Sequence, residues 1–239
     1  MTKKVSALRQ YLNSSRSIHY SLILVLPVLA IYEFGLLILF KNSFFELRNS
    51  GEILLRNLFT TLKLTNPYLV SGILLSIFAI VMIRGYKQEK QPGIHADYIV
   101  YMLLESMVWG AALFICLTLF MQLPLQILTY ADKVANINLA IGAGIFEELI
   151  FRMVVISAIF VILNRGLSMS RNYSSILAII TAACIFAAFH LLMESYSFPI
   201  FAQRVGGGIF LGVLYTFRGY GISVYTHIIY NFLILANTW

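Results

Sequence analysis

Seven runs of almost uninterrupted apolar residues dominate this chain, near 20–40, 68–83, 98–121, 137–163, 173–193, 200–217 and 221–236. The first, YSLILVLPVLAIYEFGLLILF, is long enough to cross a bilayer, which takes about 20 residues at a rise of about 1.5 Å each. In hydrocarbon every backbone amide must find its partner inside the protein, so only helices or closed barrels can span. The runs do not alternate polar with apolar residues, so they predict helices and not barrel strands. The expected fold is all-α, a polytopic membrane helical bundle of about seven to eight transmembrane helices. An eighth element would arise if 41–67 dips into the membrane, whereas GEILLRNLFTTL within it could instead lie in the interface as an amphipathic helix. The first run has no small-residue cleavage site and reads as a span, not a signal peptide.

Composition agrees. Of 239 residues, 60% are hydrophobic and only 11% charged, where a soluble domain has about a quarter charged. The formal net charge of +7 points to cytoplasmic loops and anionic headgroups, so membrane lipid is the expected partner and nucleic acid is not. The lysines and arginines between the runs favour an inside N terminus, although Lys41, Arg48, Arg56 and Lys63 run against that count. The chain is expected to be an integral multi-pass protein, of the plasma (inner) membrane if its source is bacterial. Cys116 and Cys184 lack any CxxC partner and are expected to be buried free thiols. No repeat or linker divides the sequence, so 1–239 reads as a single membrane domain.

Against that background the ionisable residues inside the runs carry the chemical information, because each costs about 2.5–3.5 kcal/mol to insert. They are Glu33, Glu105, Glu147, Glu148, Arg152, His190, Arg204 and His227. In GIFEELIFRMVV (144–155), Glu148 and Arg152 are four apart and can pair on one helix face. Glu147 points about 100° away from Glu148 and has no partner on its own helix, which suits it to proton transfer. A structural ion pair beside a snorkelling glutamate is the competing reading. Phe186 sits one turn before His190 on the same face. Taken alone, a histidine on an apolar helix is more often a hydrogen-bonded core residue than a catalyst. His227 and Asn231 are again four apart, so two donors can meet one point, as a developing oxyanion or a metal requires. Interhelical hydrogen bonding explains that pair equally well. Gly206, Gly207, Gly208 and Gly212 predict close helix packing, and Arg204 could pair with Glu33 or Glu105.

Taken in order, EExxxR at 147–152, FxxxH at 186–190 and HxxxN at 227–231 resemble the CPBP family of intramembrane proteases. That family comprises CAAX proteases and bacteriocin-processing (Abi) enzymes, the type II CAAX prenyl endopeptidase among them. The resemblance covers 137–236 as a catalytic core and leaves 1–136 without an assigned motif. It implies an intramembrane glutamic-type endopeptidase. Glu147 and His190 would position and deprotonate the attacking water, and His227 and Asn231 would stabilise the oxyanion. Glu148, Arg152 and Phe186 would support the site or touch substrate. The implied substrate is a membrane-associated protein or peptide: a CAAX-like tail, a sorting tail or a leader peptide. Glu147, His190, His227 and Asn231 could also ligate zinc, but HExxH is absent, and the expectation is a metal-free site with no cofactor. A non-catalytic scaffold or immunity protein of the same fold would not need Glu147. A proton-coupled carrier would use the same buried acids and histidines as a relay, but the repeated halves common in carriers are not detectable.

Overall fold

The computed structural model describes residues 7–39, 48–64, 69–87, 94–120, 133–191 and 197–238. Among them there is no strand. The helices are α1 (Ala7–Ser15), α2 (Ile18–Leu39), α3 (Ser50–Thr61), α4 (Leu69–Lys87) and α5 (Ala96–Ile115), the last continuing as a π-helical turn, Cys116–Phe120. After them, α6 (Lys133–Glu147) passes without a break into π-helix Glu148–Ile156, α7 (Ser157–Val161) and π-helix Ile162–Gly166. The chain ends its described part with α8 (Arg171–His190), α9 (Phe198–Arg218) and α10 (Tyr220–Thr238).

Every apolar run is therefore helical over its described residues, and the fold is an all-α membrane bundle. Ile18–Ile38, Ala96–Thr118, Arg171–His190 and Phe198–Arg218 are long and apolar enough to cross a membrane, and Leu69–Val81 is a shorter apolar helix. α2 tolerates Pro27 because neighbouring helices in a bundle can re-satisfy the carbonyl it frees. The outward faces of α4, α5 and α8 are built from residues such as Ile80, Leu104, Val108 and Ile176, all exposed. In a membrane that surface is solvated by lipid.

α10 is the centre of the bundle, packed against α2, α5, α6 and α9. From Tyr220 to Asn231 only Tyr225 and Ile229 escape full burial. The main core joins Val25, Leu29, Tyr32 and Leu36 of α2 to Ile141, Ile145 and Phe146 of α6 and to Val224 and Ile228 of α10. The glycine run of α9 does what its spacing predicts: a Cβ on Gly208 would lie 2.9 Å from the Cβ of Ala183 in α8. Cys116 and Cys184 are free thiols. Cys184 is exposed and Cys116 half-buried, a correction to the expectation that both are buried: Cys184 shares the outer face of α8 with Ile180.

The expected amphipathic helix is α3, and its N-terminal turn packs against α6. Asn49 caps it by accepting a hydrogen bond from the Gly51 amide at 2.8 Å. A Cβ on Gly51 would then sit 3.0 Å from the backbone nitrogen of Glu147. α3 thus docks end-on against α6. The flanking 41–47 and 65–67 lie outside the described residues.

Candidate active site

The α6 helix changes from α to π winding between Glu147 and Glu148, and π segments inside helices are frequent at functional sites. Three residues earlier, α6 and α10 almost touch: a Cβ on Gly144 would be 2.4 Å from Ile228. This close approach brings His227 of α10 to the two glutamates. Glu147, Glu148, Arg152, Phe186, His190, His227 and Asn231 are all buried.

Glu147 is not the isolated carboxylate that its own helix suggests. Its Oε1 is 3.8 Å from His190 Nε2, and its Oε2 is 3.9 Å from His227 Nε2. Both gaps are too long for a direct hydrogen bond, and a single water can bridge either one. Both rings are oriented by their other nitrogen. His190 Nδ1 donates to the Phe186 carbonyl at 2.9 Å. His227 Nδ1 donates to Glu148 Oε1 at 2.9 Å. A histidine whose Nδ1 proton is held this way presents Nε2 to its neighbour, and here both Nε2 atoms face one carboxylate.

Glu148 organises the site. It accepts from His227, and from the Ser223 hydroxyl at 2.5 Å. The ion pair with Arg152 expected from the four-residue spacing is present at 3.3 Å. Arg152, 1% exposed, makes no hydrogen bond among the described residues, and its guanidinium lies 4.6 Å over the Phe186 ring. The same ring meets His190 edge-on at 4.6 Å. Phe186 therefore fills the wedge between the arginine and the histidine. Asn231 follows His227 by one turn of α10.

Three contributors have no motif to announce them. Ser50, at the first position of α3, donates to Glu147 Oε1 at 2.7 Å, although it lies in the stretch 1–136 to which no chemistry was assigned. Ser223 is one of many small residues in an apolar run. Arg204 is close enough to act on the charge of Glu147, whereas its suggested partners are taken elsewhere. Glu105 receives Arg218 through two hydrogen bonds at 2.6 and 2.8 Å. Glu33 accepts from Ser71 at 2.5 Å. Arg204 and Arg218 stand roughly 21 Å apart along α9, so only the C-terminal one reaches Glu105.

His190 is the last residue of α8, while His227 lies in the first half of α10. The two meet at Glu147 because these helices are offset or tilted against each other, which a count of residues along each run does not reveal. Among the described residues no group of three His, Cys, Asp or Glu side chains has the geometry of a metal site.

Residues 132–233 match the family model of the type II CAAX prenyl endopeptidase, Rce1-like. No curated protein and no solved structure matches the chain significantly. The matched stretch begins before α6 and ends two residues beyond Asn231, so it contains every site residue that the motifs single out. It supports an endopeptidase of the CAAX-protease type, and, with four helices among the described residues long and apolar enough to cross a membrane, it supports an integral membrane protein. Over residues 132–233 the chain is therefore similar to the type II CAAX prenyl endopeptidase, Rce1-like.

Proposed function

We propose that the protein is an intramembrane glutamic-type endopeptidase that hydrolyses a peptide bond in a membrane-associated protein, at a CAAX-like tail, a sorting tail or a leader peptide. The observation that carries this reading is one carboxylate, Glu147, faced at 3.8 and 3.9 Å by the Nε2 atoms of two histidines.

In this mechanism a water sits between Glu147 and His190. Glu147 takes its proton as the oxygen attacks the scissile carbonyl carbon. The C=O bond becomes an alkoxide, which His227, as an imidazolium whose Nδ1 proton stays hydrogen-bonded to Glu148 and whose Nε2 proton faces the substrate, and Asn231 receive as donors. Collapse of that intermediate breaks the C–N bond, and the proton held by Glu147 passes to the leaving amine. Glu148 holds the His227 ring in register. Arg152 offers its N–H groups to a substrate carbonyl or carboxylate, and Phe186 keeps Arg152 and His190 apart. The buried apolar surroundings strengthen each of these interactions.

The test is a comparison of membrane-associated proteins between cells expressing the wild type and Glu147→Gln at equal level. Specific C-terminal or leader fragments that vanish in the variant identify both activity and substrate. Identical fragment profiles, with a phenotype on deletion of the whole protein, would establish a scaffold in place of a peptidase. The proposed chemistry uses no metal. Cleavage by purified protein is expected to survive EDTA followed by dialysis, and activity lost and then restored by zinc would overturn that part.

A further inference from the structure

At the end of the bundle where α2, α8 and α10 begin there is a cavity of about 380 Å³. α8 runs from this cavity, at Arg171, to the candidate active site, at His190, a path of roughly 28 Å along the helix. The cavity is therefore separate from the site around Glu147.

Its walls divide by chemistry. Arg16 and Arg171 line it, and among the described residues no acidic side chain does. Neither arginine has an ion pair or side-chain hydrogen bond among the described residues. Ser175 adds a hydroxyl, while Met153, Ile156 and Phe160 form an apolar wall. The position of Arg16 is built into the fold. Gly219, which joins α9 to α10, has φ +83, and a Cβ there would lie 2.9 Å from the Arg16 carbonyl oxygen. A glycine is needed on both counts, and the link passes directly against the Arg16 backbone. Arg171 opens α8, whose cap residue Ser170 makes no side-chain hydrogen bond, so unbonded first-turn amides add positive potential beside the arginine.

Two guanidinium groups match the oxygens of a phosphate. A free phosphate would leave most of this volume, and all of its apolar wall, without a partner. Basic pockets between membrane helices characteristically hold anionic lipid headgroups. We propose that the cavity binds an anionic phospholipid, its phosphate between Arg16 and Arg171 and an acyl chain along Met153, Ile156 and Phe160.

The experiment uses the full chain in a neutral detergent, with native mass spectrometry of bound lipid during titration with phosphatidylglycerol, phosphatidylcholine or inorganic phosphate. Phosphatidylglycerol is expected to bind about 30-fold more tightly to the wild type than to Arg16→Ala/Arg171→Ala, at about fivefold per cation. Phosphatidylcholine, whose choline ammonium cancels the charge of its phosphate, should lose less affinity in the double variant than phosphatidylglycerol does. Both arginines are exposed, so the double variant should keep the unfolding temperature of the wild type. Arg84→Ala, which removes an exposed cation elsewhere, should bind phosphatidylglycerol as the wild type does. Equal phosphatidylglycerol affinity in the wild type and the double variant would overturn the site. Inorganic phosphate that binds as tightly as the lipid and displaces it would overturn the lipid as its occupant.

Discussion

Two glutamates of this bundle, Glu52 and Glu147, are both buried, at 0% and 3% exposure, yet their surroundings differ in kind. Glu52 is saturated. It accepts from the Tyr32 hydroxyl at 2.7 Å, from Arg56 Nε at 2.7 Å, and from Arg48. Among the described residues Glu147 accepts one direct hydrogen bond, from Ser50; two imidazole nitrogens are held just out of its reach, and the charge of Arg204 acts on it from further away. A buried charge with its partners in contact is structural. One whose partners leave room for a water has the arrangement that the proposed mechanism uses. The two are mechanically joined, because the turn of α3 that Glu52 anchors is the turn that places Ser50 on Glu147. The same pairing bears on the cation count of 41–67: Arg48 and Arg56 are engaged with Glu52, so they do not weigh as free loop charges in setting topology.

This contrast can be broken most directly at Glu147. Glu147→Gln is expected to abolish peptide cleavage, a loss of at least about 10²–10⁴-fold for a general base, without lowering the unfolding temperature measured in detergent. An unfolding temperature that fell as far as that of a Glu52 variant would erase the distinction between the two sites. Glu148→Gln should come next, with a fall in kcat of up to about 10⁴-fold, the scale set by carboxylates that fix a catalytic imidazole's tautomer. Single-turnover kinetics should place that loss in the chemical step and leave KM little changed. Glu52→Ala should act on the fold. It leaves the cations of Arg48 and Arg56 without their carboxylate, at a cost of about 3–5 kcal/mol, read by chemical or thermal unfolding. The smallest effect belongs to Ser50→Ala, which removes one charge-assisted hydrogen bond, about 1.5–3 kcal/mol. It should lower kcat tenfold or somewhat more, with Ser50→Thr recovering most of it. A Ser50→Ala enzyme with wild-type kcat would show that α3 covers the site without tuning it.

The helices were legible because lipid imposes one simple rule on long apolar runs, and the candidate residues Glu147, Glu148, Arg152, His190 and His227 stood out because ionisable groups are rare inside such runs, while Phe186 and Asn231 stood out only through their four-residue spacing from the two histidines. Both signals are local. The relations that organise the site are not. Spacing within one helix pairs Glu148 with Arg152, and that ion pair exists, but the shorter contacts of Glu148 are to Ser223 and His227 on α10. Arg204 could be noticed as a cation inside an apolar run, while its choice between Glu33, Glu105 and Glu147 depended on where along α9 each acid packs. Ser50 left no trace at all: a serine at the start of an amphipathic helix is ordinary until the docking of α3 gives it a neighbour.

The hydrogen bond from His227 to Glu148 joins residues 79 positions apart, and it has a consequence for biosynthesis. A chain emerging from the ribosome inserts α6 and α8 before α10 exists. Until α10 arrives the two glutamates have neither the second histidine nor Asn231. A chain stalled or truncated before Thr226 is then a membrane-inserted protein without peptidase activity, and the proposed enzyme is switched on by completion of its own topology.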